Sequence, residues 1–275
     1  MSLLSVRNLS KSFGGVAAVA NIDFDLVEGE LLALIGPNGA GKSTTFNMVG
    51  GQLPPSAGTV MFAGKNLAGL SARAIYRLGV GRTFQIAATF ASLTVIENVQ
   101  MALLSHHRRV FSFWRAAAAQ YRVQAESLLE QVGMRDQADR PCSELAYGDV
   151  KRVELALALA ADPKLMLMDE PTAGMAPAER DALMALTRRL VIERKMAVLF
   201  TEHSMDVVFA YADRIMVMAR GHLIAQGTAA QIRADPQVQA VYLGSGSTFE
   251  RPDIEPGTAV LRASDSAGQR DEPKP

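Results

Sequence analysis

The sequence predicts an α/β fold: a largely parallel sheet that carries a phosphate-binding loop, with a helical subdomain inserted in its middle. Three observations predict it. A continuous apolar run, Leu31 to Ile35, leads into a glycine-rich stretch and then a helical segment from about Lys42. Two further apolar runs, Leu165 to Met168 and Ala197 to Phe200, flank a segment with Leu183, Leu186, Leu190 and Val191 at helical spacing. Strand, helix, strand in that order implies parallel pairing, because the crossover needs a helix's length. Between the two halves, Ala116 to Val132 is rich in Ala, Gln, Glu and Leu and reads as helix.

Taken in order, Leu3 to Glu30 reads as short strands. Ile22, Phe24 and Leu26 alternate with Asp23, Asp25 and Val27, as on a half-buried strand, and Glu28-Gly29 is a turn. Leu31 to Ile35 has no polar face, so it is expected to be covered on both sides. The helical insertion spans about residues 86–160. The strand, helix, strand unit follows, its helix read as Asp181 to Lys195. Arg214 to Gly227 reads as a hairpin turning at Arg220-Gly221. These elements form one domain over residues 3–243. Residues 244–275 shift to Gly, Ser, Pro and charge, a composition that predicts a disordered tail.

Composition narrows the function. The chain has 275 residues, 49% hydrophobic and 20% charged, as in ordinary globular proteins. Lys plus Arg equals Asp plus Glu at 28 each, which disfavours a dedicated nucleic-acid binder. One cysteine, Cys142, excludes an internal disulfide and fits a reducing compartment. Met1 to Leu4 has no signal-peptide pattern, and no run approaches the ~20 apolar residues of a membrane span. Work at a membrane is therefore expected to go through partners.

Gly36-Pro37-Asn38-Gly39-Ala40-Gly41-Lys42-Ser43 matches G-x-x-x-x-G-K-[ST], and Thr44 follows it on the helix. Phosphate oxygens need several donors at close range. Glycines let the main chain approach and turn its N–H groups inward, and the helix N-terminus adds partial positive charge. Lys42 is placed to reach the β and γ phosphates, and the Ser43 hydroxyl to ligate Mg²⁺. The run Leu165 to Met168 ends in Asp169-Glu170. Carboxylates at the end of a buried strand need a cation or water nearby. Asp169 is suited to Mg²⁺ and Glu170 to polarising the attacking water. His203 follows Ala197 to Thr201, at the same sheet edge, where ligands of open α/β sheets bind.

These residues carry a resemblance to the ATP-binding subunits of ABC transporters, over residues 3–243. Gly36 to Ser43 resembles the Walker A loop, Thr83-Phe84-Gln85 the Q-loop, and Leu145-Ala146-Tyr147-Gly148-Asp149 the signature. Leu165 to Glu170 is similar to Walker B, Ala173 to Pro177 to the D-loop, and His203 to the switch histidine. The resemblance implies a P-loop NTPase core with an N-terminal antiparallel β subdomain. It implies that Phe13 stacks on adenine and that Gln85 touches Mg²⁺. It also implies ATP and Mg²⁺ as ligands, and a head-to-tail dimer with a second ATPase subunit, identical or related. Two permease subunits would hold the chain on the cytoplasmic face of the inner membrane, with a solute-binding protein acting indirectly and no nucleic acid involved.

Gly81-Arg82-Thr83-Phe84-Gln85, Leu93 to Val99, Asp169 to Met175 and Tyr242-Leu243-Gly244 resemble the branched-chain amino acid importers in particular. Relatives in that branch carry amides, ureas and aromatic or short-chain acids. The signature departs from the family's Leu-Ser-Gly-Gly-Gln: Ala146 replaces serine, Tyr147 glycine and Asp149 glutamine. A lost hydroxyl bond to phosphate is worth roughly 1.5–3 kcal/mol. The expectation is a slower ATP site wherever this signature completes the partner's Walker A. Two other classes remain open at this point. A soluble ABC-type ATPase outside transport would carry two ATPase domains or a coiled coil, and neither is present. A non-hydrolysing structural partner would have lost Lys42, Ser43, Asp169, Glu170 or His203, and all five are intact.

His106 to Arg109 reads as a solvated basic loop. Phe111, Phe113 and Trp114 read equally as helical-subdomain core or as contact with a membrane subunit.

Overall fold

The computed structural model describes residues 2–83, 89–107 and 114–243, and side-chain surroundings for all of these except 114–120 and 243. Two sheets and nine α-helices are present among the described residues. The chain opens with β1 (Ser2–Phe13) and β2 (Val16–Val27), paired antiparallel. The expectation of short strands is corrected here: each runs twelve residues, kept in one ladder by several register shifts that let it twist. Ile22, Phe24 and Leu26 are buried, as their alternation requires. β3 (Leu31–Ile35) and α1 (Lys42–Val49) follow. Next come β4 (Ala57–Phe62), β5 (Lys65–Asn66), α2 (Ala72–Arg77) and β6 (Val80–Thr83). The antiparallel sheet has the order β2-β1-β4-β5.

Three longer helices separate β6 from the next strand: α3 (Val95–His106), α4 (Trp114–Gln131) and α5 (Tyr147–Leu159). Thr94 caps α3 in a reciprocal box with Glu97, whose Oε2 accepts the Thr94 N–H at 2.8 Å. His106 closes α3 and His107 caps it, stacked on Tyr121 at 5.2 Å. The reading of a solvated loop is corrected at His106, which α3 includes, while His107 stands exposed in the turn that follows. Arg108, Arg109, Phe111 and Phe113 lie outside the described residues.

The second half is β7 (Leu165–Asp169), α6 (Pro177–Arg194), β8 (Ala197–Thr201), α7 (Met205–Tyr211), β9 (Arg214–Ala219), β10 (His222–Gly227), α8 (Ala229–Ala234) and α9 (Pro236–Leu243). α6 begins four residues before the expected Asp181, because Pro177 takes the first helical position, where no N–H is needed. The expected tail, 244–275, lies outside the described residues.

The second sheet has the order β10-β9-β3-β8-β7-β6, parallel except for the edge pair β9–β10. Its central strands are buried on both faces, and alternate residues feed two cores. Ala33, Ile35, Met166, Met168, Val198 and Phe200 face the long helices. Leu32, Leu34, Leu165, Leu167 and Leu199 face α1 and the antiparallel sheet. This is why the strands read as unbroken apolar runs rather than alternating ones.

Candidate functional site

Strand order builds the site. β8 lies between β3 and β7, so the loops after all three strands open side by side at the carboxyl edge. Those loops begin with Gly36, Asp169-Glu170 and Glu202-His203. Gly36, Asp169 and His203, distant along the chain, thus come within reach across strands roughly 5 Å apart.

The loop from Gly36 to Gly41 is shaped by contacts that admit only glycine at its two ends. Gly36 has φ 152°, and a Cβ there would lie 2.2 Å from the Met218 carbonyl oxygen. Gly41 has φ 105°, and its Cβ would lie 2.5 Å from the Ala18 carbonyl oxygen. The main chain also braces the loop, since the Gly221 N–H donates to the Ala40 carbonyl at 3.0 Å. α1 starts at Lys42, without an acidic residue in its first turn, so its N-terminal field is left for an anion. The Lys42 side chain is buried, and its ammonium donates to the carbonyls of Gly36 at 2.7 Å and Pro37 at 3.1 Å. Burial lowers its pKa, while Glu170 and Asp169 oppose that shift. Ser43 is exposed beside it and Thr44 half-buried, with Pro37, Asn38, Gly39 and Ala40 forming the bend between.

At the end of β7, Asp169 is held from two sides. Its Oδ1 accepts the Thr201 hydroxyl at 2.7 Å, and Arg82 lies 3.5 Å from Oδ2. Arg82 is itself anchored to Asn47 at 3.0 Å and Gln52 at 2.7 Å. Burial lowers the Arg82 pKa and the Asp169 charge offsets part of that. Glu170 adopts φ 47°, a left-handed conformation costly for a residue with a side chain. Its N–H donates to the Thr201 carbonyl at 3.2 Å and hydroxyl at 3.1 Å, which hold that bend. The bend aims the carboxyl at His203, whose Nε2 lies 2.8 Å from Glu170 Oε1.

The structure therefore brings Lys42, Asp169, Glu170 and His203 to one sheet edge. It places Phe13 at the end of β1, 49% exposed, with the Lys11 ammonium 5.3 Å from its ring centre. That is an accessible stacking face rather than core. Gln85 lies outside the described residues. The Leu145 to Asp149 segment lies apart, at the start of α5. Ala146 is the N-cap and provides no side-chain bond, Tyr147 is exposed, and Gly148 is buried against Glu179. Asp149 sits in the first turn and accepts from Gln137 Nε2 at 3.1 Å.

Sequence reasoning assigned no role to Thr201, Glu202, Thr172 or Arg82. Their contacts span 30 or more positions, or join side chains on different strands. The one available signal was a carboxylate, Glu202, directly after an apolar strand, which needs buried partners. At the other end of the chain, Tyr242 packs in the core behind the loop. Burial pushes its hydroxyl far above the ordinary tyrosine range, with the Gly36 main chain acting against that. Cys142 is buried, which raises its pKa and leaves it a packed thiol.

Between β6, α3 and α5 runs a groove of about 410 Å³ lined by Tyr76, Arg82, Thr83, Phe90, Met101 and Leu157 among others. No helix among the described residues is long and apolar enough to cross a membrane.

Comparison with known proteins agrees with this geometry. Residues 19–173 match the ABC transporter family, and residues 222–247 match the family described as branched-chain amino acid ATP-binding cassette transporter. The chain is 40% identical to the high-affinity branched-chain amino acid transport ATP-binding protein LivG of Escherichia coli (strain K12), covering 88% of this chain and 98% of that one. It is 36% identical to the corresponding protein BraF of Pseudomonas aeruginosa, again over 88% and 98%. Among solved structures it resembles an ATP-binding cassette of an ABC transporter in its ADP conformation. The TM-score is 0.78 at 30% identity, over 89% of this chain and 99% of the other.

Proposed function

The chain belongs to the ATP-binding subunits of ABC transporters, and from that premise we propose that it is the ATP-hydrolysing motor of an importer. The solute is a branched-chain amino acid or a related small amino acid, amide or organic acid. The observation that carries the motor reading is the convergence of Lys42, Asp169, Glu170 and His203 at one sheet edge. The match of residues 222–247 and the likeness to LivG and BraF support the solute class.

In this reading the N–H groups of Gly36 to Lys42, with the Lys42 ammonium, hold and neutralise the ATP phosphates, and Thr44 extends that cradle. Phe13 offers its exposed face to the adenine. Glu170 takes the proton of the attacking water, and His203, bonded to Glu170, fixes the water's direction and shares the charge on the terminal phosphate. Mg²⁺ characteristically takes one or two carboxylates plus substrate phosphates rather than a full protein cage. Ser43 and Asp169 suit that donor set, and no cluster of three or more acidic, His or Cys ligands occurs among the described residues. Gln85 joins them by the family resemblance. When bound, the ion would draw charge from the phosphates.

Leu145 to Asp149, 47% exposed at Tyr147, is the half-site offered to a second ATPase subunit. The groove beside β6 is where we place a permease helix. Arg82 lines that groove and also pairs with Asp169, so docking and the metal-side carboxylate share one residue. The protein then works at the cytoplasmic face of the membrane through its permeases.

The test is co-expression with the neighbouring permease, ATPase and binding-protein genes, followed by purification and uptake measurements. The expected result is a membrane complex that takes up the solute only with ATP. A chain that never co-purifies with permeases, yet hydrolyses ATP alone, would overturn the transport reading and leave the ATPase.

A further inference from the structure

Glu202 is 4% exposed and serves two loops at once. Its Oε1 accepts both the Thr172 N–H at 2.9 Å and the Thr172 hydroxyl at 2.6 Å. Its Oε2 accepts the His203 N–H at 3.1 Å and the Ser204 N–H at 3.5 Å. Thr172 is 1% exposed and stands two residues after Glu170. A carboxylate is costly to bury unless its oxygens are satisfied, and here two loops satisfy one oxygen each. A second bridge runs in parallel. Arg180 of α6 donates through Nε to the Met175 carbonyl at 2.8 Å and through Nη1 to the Ser204 hydroxyl at 2.9 Å.

The loop from Thr172 to Met175 and the loop from Glu202 to Ser204 are thereby tied at two points. On the second loop His203 stands between those ties, and on the first Glu170, its 2.8 Å partner, stands two residues before Thr172. The bonds that Glu202 and Thr172 make are to each other and to the main chain of His203 and Ser204. We infer that Glu202, through Thr172, is the positioning residue that holds His203 against Glu170. The pair also couples the 172–175 loop to the hydrolytic centre. That loop leads to the signature segment, since a Cβ on Gly174 would lie 3.7 Å from the Tyr147 ring. The inference rests on the ATPase reading above.

The test uses the full chain assembled with its partner ATPase and permease subunits, and steady-state ATP hydrolysis. Thr172→Val keeps the volume but removes the hydroxyl donor. It is expected to lower kcat about tenfold, with KM for ATP changed less than about twofold, and Thr172→Ser is expected to restore the rate. In a His203→Ala background, the same change should cost less than about twofold more, because its effect already passes through His203. Glu202→Gln, which turns an acceptor into a donor facing an N–H, should behave as Thr172→Val does.

An unchanged kcat in Thr172→Val overturns the inference. So does an equal further loss in the His203→Ala background. Loss of ATP binding in both Thr172→Val and Glu202→Gln makes the bridge merely structural and also overturns it. A wild-type chain that hydrolyses ATP while Thr172→Val is unaffected rejects this inference alone. A wild-type complex, assembled with its partner ATPase and permeases, that shows no hydrolysis rejects the ATPase reading and this with it.

Discussion

At the carboxyl edge of the second sheet, Lys42, Asp169, Glu170 and His203 each have partners within the chain, and the backbone is bent to fit them. At the start of α5, Ala146 offers no cap, Tyr147 faces outward, and Asp149 is turned to Gln137 of its own subdomain. Both segments match motifs of one family, yet one is a fixed cradle and the other an open surface. The difference follows from what each must meet. In the function proposed above the cradle stabilises charge that develops during reaction, so its groups must be placed beforehand. In the function proposed above the signature meets another chain's nucleotide, so its precision would come only with that chain present.

The comparison predicts large losses on the cradle side and small ones on the signature side. Lys42→Ala removes the donor that, in the function proposed above, meets the phosphates, and kcat/KM for ATP should fall about 10²- to 10³-fold. A loss under tenfold, measured in steady state, would mean that Lys42 is not at the phosphates. Gly36→Ala forces a side chain against the Met218 carbonyl at a left-handed φ. It should lower stability by about 1–3 kcal/mol, read as a drop in Tm, and weaken ATP binding with it.

The lysine's buried position sets a pH dependence. Its pKa is lowered from the ordinary 10.5, so the free chain loses the ammonium at a lower pH than an exposed lysine would. ATP affinity should therefore decline with rising pH, and should begin to do so at a lower pH than an exposed lysine would impose. Equilibrium binding across that range checks this, with Lys42→Arg expected to flatten the decline. The smallest effect belongs to the signature. Asp149→Gln removes a negative charge near the partner's phosphate, worth roughly 1 kcal/mol at a surface, about a fivefold faster rate at that one site. An unchanged rate there would show that the Gln137 contact already keeps the carboxylate away.

Much of this was legible from the chain alone. β3, β7 and β8 could be read because strands covered on both faces need unbroken apolar runs. The hairpin of β9 and β10 could be read from Arg220-Gly221, both found at positive φ. The phosphate loop was legible because glycine is required where a Cβ would strike Met218 or Ala18. The length of β1 and β2 was not legible, since their register shifts break the simple alternation. Nor were the roles of Arg82, Thr172, Thr201 and Glu202. Each acts through a neighbour on another strand or loop, and only the order β3-β8-β7 puts those neighbours together. Gln85 was named from the family pattern and lies outside the described residues.

The most direct test of the cradle is Glu170→Gln in the full chain, with ATP binding and ATP hydrolysis measured on the same preparation. The account predicts that ATP affinity stays within about threefold of wild type while hydrolysis falls by about 10²-fold or more, as for loss of a general base. A variant that hydrolyses ATP at the full rate would contradict it, and would move the base away from the end of β7.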